Sequence, residues 1–568
     1  MIDYFAHVAA LRVCLSALQS KPPADPAHPK DVTAALSDAN SQPGSAILGA
    51  LVDHLLQYSE SKTSVEIGVL SQAAALFQTG VSILAQISTT RAGLEAGLTT
   101  PTAPSVLAGY NTALASLPGI ATQVQNLQAS LKTFQADFSG NWMAAVGQQQ
   151  DKPVPQWAWR DVFLARRTTA FVANAQALAT TPRQRAFALG TLAGAAGNFL
   201  GSGYLNAVVG GPRRSHELRH RLAAYSVGAW LRDNEPQYAE TLAAIRTALT
   251  FGQSGTATLP SDLKTIIHGA LQKAYPGGTA PLPDVDTGYS NLLKHLGLLG
   301  EFDLPPVPAP LNNTLTSEVL HTNDLILGHD NIHPAGSGLG TNNPGIGTHE
   351  SAGAVCEELL LWLIWPFQWA AAVANALGGG SGADGGDDEV DEAELVTVSQ
   401  SPAALAAINN LYGMSLSFWQ ALAAARTALV LRGLLYPDTD DLSNPTFTQF
   451  LSIPHPSGNY PLLPMPTTDD GTGWPTTAVE KPATSPSPYV AAASPLTFLT
   501  GPTHSVSAQS GALWIAMIEH AGTDDRPGSD NPNLDSDRGF SARCWALAPG
   551  TSITSQPVIA NTLSYTAI

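Results

Sequence analysis

The chain has 568 residues, of which 44% are hydrophobic and only 13% are charged, and its formal net charge is −18 at pH 7. This acidic balance argues against a nucleic-acid-binding protein, because binding to phosphates requires clustered basic side chains. Three cysteines that are far apart in the sequence, Cys14, Cys356 and Cys544, exclude a disulfide scaffold and favour a reducing compartment. The share of charged residues is about half the usual one, which is typical of a surface partly covered by neighbouring subunits.

Residues 1–20 are predicted to form an ordinary first helix. An export signal is not expected, because Asp3 stands where a signal peptide is basic and the first cationic residue is Arg12. We therefore expect the chain to be cytoplasmic as synthesised; export by a dedicated secretion machine would leave no such mark in the sequence.

Long helices are predicted from residue 44 to residue 150. Apolar residues recur there at steps of three and four, as they do in amphipathic helices that pack as a bundle. Breaks are expected at TTPTAPS, residues 99–105, and around Leu-Pro-Gly at residues 117–119. Together with the first helix, these segments predict an N-terminal helical bundle over residues 1–150.

Composition divides the rest of the chain into four segments. Residues 151–300 are predicted to be a helical core, and residues 301–358 are a loop region rich in His, Gly and Asn. Residues 359–436 hold an apolar Trp-rich helix, an acidic Gly-rich loop and one more long helix. Residues 437–568, rich in Pro, Thr and Ser, are predicted to be an irregular, partly β wrapping segment with one helix near residues 511–521. The predicted fold class is mainly α.

The apolar run at residues 359–377 reaches the minimum length of a membrane span. Pro366 lies in its middle, the acidic pair Glu357 and Glu358 precedes it, and no Lys or Arg flanks it, unlike the usual cationic anchoring of a span. Membrane association is therefore not favoured, and a buried or interface helix is expected. Its tryptophans lie on overlapping helix faces and are predicted interface anchors: Trp362, Trp365 and Trp369.

The sequence HELRH at residues 216–220 has the spacing of a zinc hydrolase motif. His216 and His220 would bind the metal from one helix face, and Glu217 would act as the general base. Arg219 lies between them, and a cation beside a zinc site opposes metal binding. The candidates for a third ligand are Glu235 and Glu240. Alternatively, Arg214, Glu217 and Arg221 have the spacing of intrahelical ion pairs, and the histidines are polar residues on a helix that crosses the edge of the core.

A wider stretch, residues 164–230, resembles bacterial zinc-dependent phospholipase C-like proteins. It carries ARRTTAFV, ALGTLAG and N-x-V-V-G-G-P-x-R in the family's order. The resemblance implies an all-α fold in which metals bridge histidines and aspartates on several helices. It also implies that Glu217 plays no part, since that glutamate is not in the family pattern.

Most metal positions of that pattern hold other residues in this chain. The family has histidine, aspartate or glutamate at six positions that are occupied here by Leu164, Gly194, Asn198, Ser202, Ala224 and Gly228. Only His216 and His220 match. A zinc site needs three or four N, O or S ligands, so the resemblance implies a degenerate member whose site has collapsed into helix packing.

The loop at residues 321–350 is the other candidate source of ligands. Its histidines and aspartates could join His216 and His220 in a metal site, although a polar loop that caps helix ends explains the same composition. The candidate ligands are His321, Asp324, His329 and His333.

We therefore expect a non-enzymatic structural or assembly subunit that forms homo-oligomers, without a cofactor. The alternative is a zinc-dependent hydrolase of phosphoesters or acyl esters, which would use His216 and His220 with ligands from residues 321–350.

Overall fold

The structure is a computed structural model, in which helices account for 81% of the interpretable residues. This confirms the mainly α prediction. The described residues are 2–22, 29–99, 104–137, 158–165, 168–209, 217–254, 257–275, 281–309, 402–431, 433–438, 495–502, 505–519, 544–546 and 558–560.

The helices are numbered in chain order. The first six are α1 (Tyr4–Ser20), α2 (Pro29–Ser41), α3 (Pro43–Ala50), α4 (Val52–Tyr58), α5 (Ser61–Thr99) and α6 (Pro104–Asp137). The next seven are α7 (Trp159–Ala165), α8 (Thr168–Leu178), α9 (Pro182–Val209), α10 (Glu217–Asn234), α11 (Leu242–Leu249), α12 (Ser261–Ala274) and α13 (Val285–Leu298). The last three are α14 (Pro402–Leu431), α15 (Leu496–Thr500) and α16 (Val506–Glu519).

The predicted breaks in the N-terminal helices have different outcomes. The break at TTPTAPS is confirmed, since α5 ends at Thr99 and α6 begins at Pro104. The break at residues 117–119 is wrong, because α6 continues through Pro118. Proline removes one backbone donor from a helix, and the 34 residues of α6 supply enough other hydrogen bonds for the helix to continue.

The helices form two compact units, and each unit draws on separate parts of the sequence. Unit 1 contains described residues from 1–68, 144–300 and 429–568, and unit 2 contains described residues from 69–143 and 301–428. The five segments expected from composition stay a prediction.

Helix α9 lies at the centre of unit 1. It packs against α1, α2, α3, α8, α10 and α16. Helix α1 is buried on nearly all sides, from Tyr4 to Leu18, as expected of a helix that is apolar all round. The side chain of Asp3 caps α1 by accepting hydrogen bonds from the backbone N–H groups of Ala6 at 3.0 Å and Phe5 at 3.3 Å.

Helices α3 and α9 approach each other so closely that only glycine fits at the contact. A Cβ atom on Gly190 would lie 2.0 Å from the backbone oxygen of Ala46, and one on Gly49 would lie 2.1 Å from that of Phe187. Such distances are far inside van der Waals contact. The backbones of the two helices therefore touch directly, which fixes α3 and the start of α4 relative to α9.

In unit 2, helices α5 and α14 pack against each other and against the segment that follows α13. The methylene carbon of Gly80 faces Leu422 and Phe418, and the Arg91 guanidinium lies 5.3 Å from the ring centre of Tyr412. The indole N–H of Trp419 donates to the backbone oxygen of Pro305 at 2.8 Å.

One helix among the described residues is long and apolar enough to cross a membrane, judged by length and composition alone. It is the Thr63–Ala96 part of α5, with a mean hydropathy of 1.5 in a window of which 44% is buried. The run expected from the sequence, residues 359–377, lies outside the described residues.

Little of the C-terminal segment is described. The helix expected near residues 511–521 is present as α16. Two strands, β1 (Cys544–Ala546) and β2 (Val558–Ala560), pair antiparallel with Trp545 opposite Ile559. The rest of residues 437–568 lies mostly outside the described residues, so a partly β wrapping segment stays a prediction.

Candidate metal centre

Two histidines and an aspartate meet in the core of unit 1. His7 comes from α1, and Asp53 and His54 come from α4. One possible ligand atom from each residue lies within 4.8 Å of the others. The Nε2 atom of His7 is 3.3 Å from Oδ1 of Asp53, and both side chains are almost completely buried, with exposures of 0% and 1%.

Helix packing positions this cluster. His7 lies one turn beyond the capping residue Asp3, and α1 is held against α9. Asp53 and His54 lie in the first turn of α4, which follows α3 after Leu51. Helix α4 packs in turn against α7 and α13. Two contacts with a common partner, α9, therefore bring residues 46 positions apart in the sequence together.

Several polar atoms of the cluster form no hydrogen bond of good geometry, although Asp53 has ion-pair contacts with His7 and Arg160. They are both ring nitrogens of His7, both carboxylate oxygens of Asp53 and Nδ1 of His54. Buried polar groups are almost always hydrogen-bonded, so such a group calls for an explanation. The remaining nitrogen of His54, Nε2, lies 3.3 Å from the backbone oxygen of Ile2. If Nε2 donates there, Nδ1 keeps its lone pair.

The charges in the cluster favour ionised Asp53 and neutral His54. Burial raises the pKa of Asp53, but His7, His54 and Arg160 lower it more, so that it lies below its usual range. A guanidinium nitrogen of Arg160 is 3.8 Å from Oδ2 of Asp53. Burial lowers the pKa of His54 well below its ordinary value, against the opposing charge of Asp53. These are the protonation states that a metal ion requires of its ligands.

Aromatic side chains enclose the cluster on one side. The ring of Tyr4 lies 4.5 Å from that of His54. The Tyr4 hydroxyl donates to the hydroxyl of Tyr58 at 2.9 Å and lies 2.9 Å from Nδ1 of His295. Burial lowers the pKa of His295 to about 4, so this histidine is neutral near pH 7. The surroundings of the cluster are therefore apolar rings with matched hydrogen bonds, which keep bulk water away.

The carboxyl group of Asp3 makes stability depend on pH. Burial raises its pKa to about 6. The folded chain therefore holds a proton that the unfolded chain releases, and stability falls as pH rises from about 4 to about 6. Asp3→Asn keeps the cap without the charge. We expect its free energy of unfolding, relative to that of the wild type, to rise by up to about 3 kcal/mol over this range, as measured by urea unfolding.

The matched control is Asp284→Asn, which changes the corresponding cap of α13. Hydrogen bonds from the Thr287 side chain and backbone lower the pKa of Asp284. Wild-type stability then rises with pH on this account, so the relative stability of the control variant is expected to fall as pH rises. A relative stability of Asp3→Asn that stays flat from pH 4 to 7 would contradict the assignment.

The histidines expected from HELRH are only partly described. His220 lies in α10 and is 1% exposed, whereas His216 and the side chain of Glu217 lie outside the described residues. In the described part of the chain, no metal-ligand cluster includes His220. The candidates for a third ligand have other partners: Glu240 pairs with Arg12, and Glu235 accepts a hydrogen bond from Gln237.

The other residues expected from the sequence also lie outside the described part. They are the loop residues His321, Asp324, His329 and His333 and the interface residues Trp362, Trp365 and Trp369.

Residues at the start of α1 and at the end of α3 occupy the space at positions where the phospholipase C family has metal ligands. A Cβ atom on Gly194 would lie 2.5 Å from the Ala50 oxygen, and one on Gly228 would lie 1.8 Å from a carboxylate oxygen of Asp3. Oδ1 of Asn198 accepts a hydrogen bond from the backbone N–H of Ile2 at 3.2 Å. A larger ligand side chain at Gly194 or Gly228 would overlap these atoms.

Sequence reasoning missed the cluster of His7, Asp53 and His54. The available signal was the placement of polar residues inside apolar runs, His7 in FAHVAAL and the aspartate–histidine pair in LVDHLL. Such residues are usually paired when the run is buried. No spacing rule joins the two runs, because they lie on different helices. Comparison of the chain with known protein families, with curated proteins and with solved structures found no match.

Proposed function

We propose that the chain is a non-enzymatic structural subunit that self-associates, built on a helical core resembling zinc-dependent phospholipase C. The strongest support is that other atoms of the chain occupy the space at positions where the family has metal ligands. Gly194 and Gly228 have backbone or carboxylate atoms within 2.5 Å of where a Cβ would be. A zinc ligand needs a side chain that reaches the ion. Backbone atoms of Ala50 leave no space for one at Gly194, and at Gly228 the capping carboxylate of Asp3 would have to move.

Burial of His220 also argues against the alternative hydrolase. A catalytic zinc ion keeps one coordination position open to water or substrate. His220 is 1% exposed, and its helix packs against α1 and α9. A histidine in such surroundings fits a packed helix contact better than an open metal site. A hydrolase would also need the loop at residues 321–350 to supply the remaining ligands.

Composition supports self-association. Charged residues make up 13% of the chain, against about 25% in typical globular proteins. A surface this poor in charge is typical of one partly covered by neighbouring subunits. The run at residues 359–377 adds three tryptophans, a residue type enriched at interface centres.

The experiment is a measurement of particle mass over a range of protein concentrations by light scattering. We expect an oligomer, and we expect the triple variant Trp362→Ser, Trp365→Ser, Trp369→Ser to reduce the mass while the helical circular dichroism is kept. Monomers at every concentration would contradict self-association.

A parallel assay tests the hydrolase alternative. The wild type is incubated with zinc and with p-nitrophenyl esters of phosphate and of butyrate, and we expect no turnover above the zinc-only control. Activity that is lost in His216→Ala and kept in His268→Ala would establish the hydrolase instead, since His268 lies in α12 outside the motif.

A further inference from the structure

We propose that the hairpin of α5 and α6 in unit 2 is the interface through which a second copy of this chain binds. The surface concerned, called the hairpin surface below, consists of the exposed side chains of α5 and α6 from Gln72 to Ser130. This inference rests on the self-association proposed above and names where it takes place. The hairpin surface is separate in sequence from the run at residues 359–377.

Helices α5 and α6 pack antiparallel along one seam. Oγ1 of Thr90 lies 2.9 Å from Oγ of Ser116, and a Cβ atom on Gly93 would lie 3.1 Å from that of Ala113. The buried residues of α6 recur at the spacing of a coiled-coil seam, which occupies only one side of a helix. They are Ala113, Ile120, Val124, Leu127 and Leu131.

The hairpin surface carries no charged side chain among its described residues. Residues 67–131 contain two charged residues, Arg91 and Glu95. These two pair with each other at 3.1 Å and are only 9% and 18% exposed. The exposed positions of the hairpin hold alanine, glycine, proline, serine, threonine, asparagine or glutamine. A chain with a net charge of −18 therefore presents a long neutral surface here.

A neutral polar surface suits a second copy of the same chain. Two copies with a net charge of −18 repel each other, and they approach most easily where neither carries charge. A two-fold interface brings the same patch of both copies together, so the patch must complement itself. Amides and hydroxyls both donate and accept hydrogen bonds, whereas carboxylates only accept and ammonium groups only donate. The hairpin surface can therefore pair with itself.

The same side chains fit other partners poorly. Nucleic acids and charged proteins are recognised through opposite charges, which the hairpin surface lacks. A lipid bilayer requires apolar side chains on the outside, but Ile83, Leu84 and Ile87 of α5 are buried in the protein. The exposed Gln72 and Gln123 would lose hydrogen bonds to water in lipid without gaining others.

The hairpin is also large enough for a specific interface. Helix α6 has 34 residues and is therefore about 50 Å long. One side of two helices of this length, each about 10 Å wide, covers about 1,000 Å². Each partner of a typical specific complex buries about 800 Å². A two-fold contact along the hairpin thus needs no further surface.

The test measures particle mass by light scattering for the triple variant Ala115→Glu, Thr122→Glu, Asn126→Glu. All three side chains are exposed on α6, and glutamate is a good helix former, so the helical circular dichroism should be kept. In a two-fold contact the added charges of the two copies approach each other. We expect the dissociation constant to rise about a hundredfold or more, so that the variant is monomeric where the wild type is an oligomer.

The matched control adds three glutamates to exposed positions of α12 and α13 in unit 1, as Thr265→Glu, Gln272→Glu, Ser290→Glu. This control is expected to keep the wild-type mass. If the hairpin variant also keeps it, or if both variants dissociate, the hairpin is not the interface although the chain still self-associates. A wild type that is monomeric at every concentration overturns the proposed self-association and this interface with it.

A lysine variant at the same hairpin positions separates a lost contact from lost folding. Ala115→Lys, Thr122→Lys, Asn126→Lys should be monomeric alone, because its charges also repel across the contact. Mixed in equal amounts with the glutamate variant, it should form mixed oligomers, since opposite charges then meet. A mixture that stays monomeric overturns the interface. Binding of the wild type, but not of the glutamate variant, to phosphatidylcholine liposomes would overturn it in favour of a lipid-binding hairpin.

Discussion

Replacing Gly190 by alanine is expected to destabilise unit 1 by about 3 kcal/mol or more, at the upper end of the range for overpacking a core. The added methyl carbon would lie 2.0 Å from the backbone oxygen of Ala46, 2.8 Å from its carbonyl carbon and 3.0 Å from its Cα. All three are backbone atoms, so no side chain can rotate away. Relief requires α3 to move off α9, which exposes apolar surface along both helices.

The matched control is Gly68→Ala. Gly68 also lies within a helix, and a Cβ atom there would meet nothing within 4 Å. Alanine is the better helix former by about 0.5–1 kcal/mol, so this control should raise stability slightly. Urea unfolding followed by circular dichroism measures both variants. A Gly190→Ala protein as stable as the wild type would show that α3 and α9 are not in backbone contact.

The same variant links packing to the candidate metal centre. Helix α4 follows α3 after Leu51 alone, so a shift of α3 carries Asp53 and His54 with it while His7 stays on α1. Gly190→Ala should then disturb the contact between His7 and Asp53 as well as lower stability, whereas Gly68→Ala should do neither. The α3–α9 contact is thus a positioning element for the cluster, although none of its residues is a ligand.

Helix content could be predicted from the sequence because long stretches rich in Ala and Leu favour helix formation. Helices α1, α5, α9 and α14 all lie in such stretches, and the break between α5 and α6 contains Pro101. The continuation through Pro118 could not be predicted, because a single proline is either a break or a tolerated interruption depending on how much helix surrounds it.

Which segments of the chain form each of the two units could not be predicted from the sequence. An apolar period shows that a helix has a buried face, but it does not show which other helix covers that face. Helix α5 begins in unit 1, where Glu66 pairs with Arg221, and continues into unit 2, where Gly80 packs against Leu422. One uninterrupted apolar pattern therefore spans both units.

The candidate site could not be predicted for a related reason. The sequence suggested HELRH as a metal site because its two histidines would lie four residues apart on one helix. The trio of His7, Asp53 and His54 depends on the packing of α1 against α9 and α3, and α3 leads into α4. The sequence does show polar residues inside apolar runs that are buried. Polar residues in such positions are expected to be functional or specially stabilised.

Replacing Arg221 by methionine is expected to destabilise unit 1 by about 3–5 kcal/mol near pH 7, because it leaves a buried charge without its partner. Arg221 on α10 pairs with Glu66 on α5 at 2.5 Å, with side-chain exposures of 15% and 6%. Burial raises the pKa of Glu66, but Arg221, with smaller effects of His295 and Arg160, lowers it more, so the carboxyl group is ionised in the native protein. Methionine keeps the apolar stem and removes only the charge.

This destabilisation should depend on pH with a definite sign. In the wild type the lowered pKa of Glu66 adds stability above its unfolded pKa of about 4.3 and loses it as pH falls through the folded value. In Arg221→Met, burial raises the pKa of Glu66 against only the smaller effects of His295 and Arg160, so protonation at lower pH relieves the cost. The gap between the two proteins should therefore narrow from about pH 7 to about pH 5.

Two further variants complete the test by urea unfolding. Glu66→Gln combined with Arg221→Met removes both charges and should recover most of the loss, since replacing a whole buried ion pair is often neutral. Arg183→Met breaks a half-exposed pair with Asp262, at 41% and 29% exposure, and should cost less than about 1 kcal/mol. If Arg221→Met costs no more than Arg183→Met, Glu66 reaches water in the native protein and α10 does not cover the start of α5.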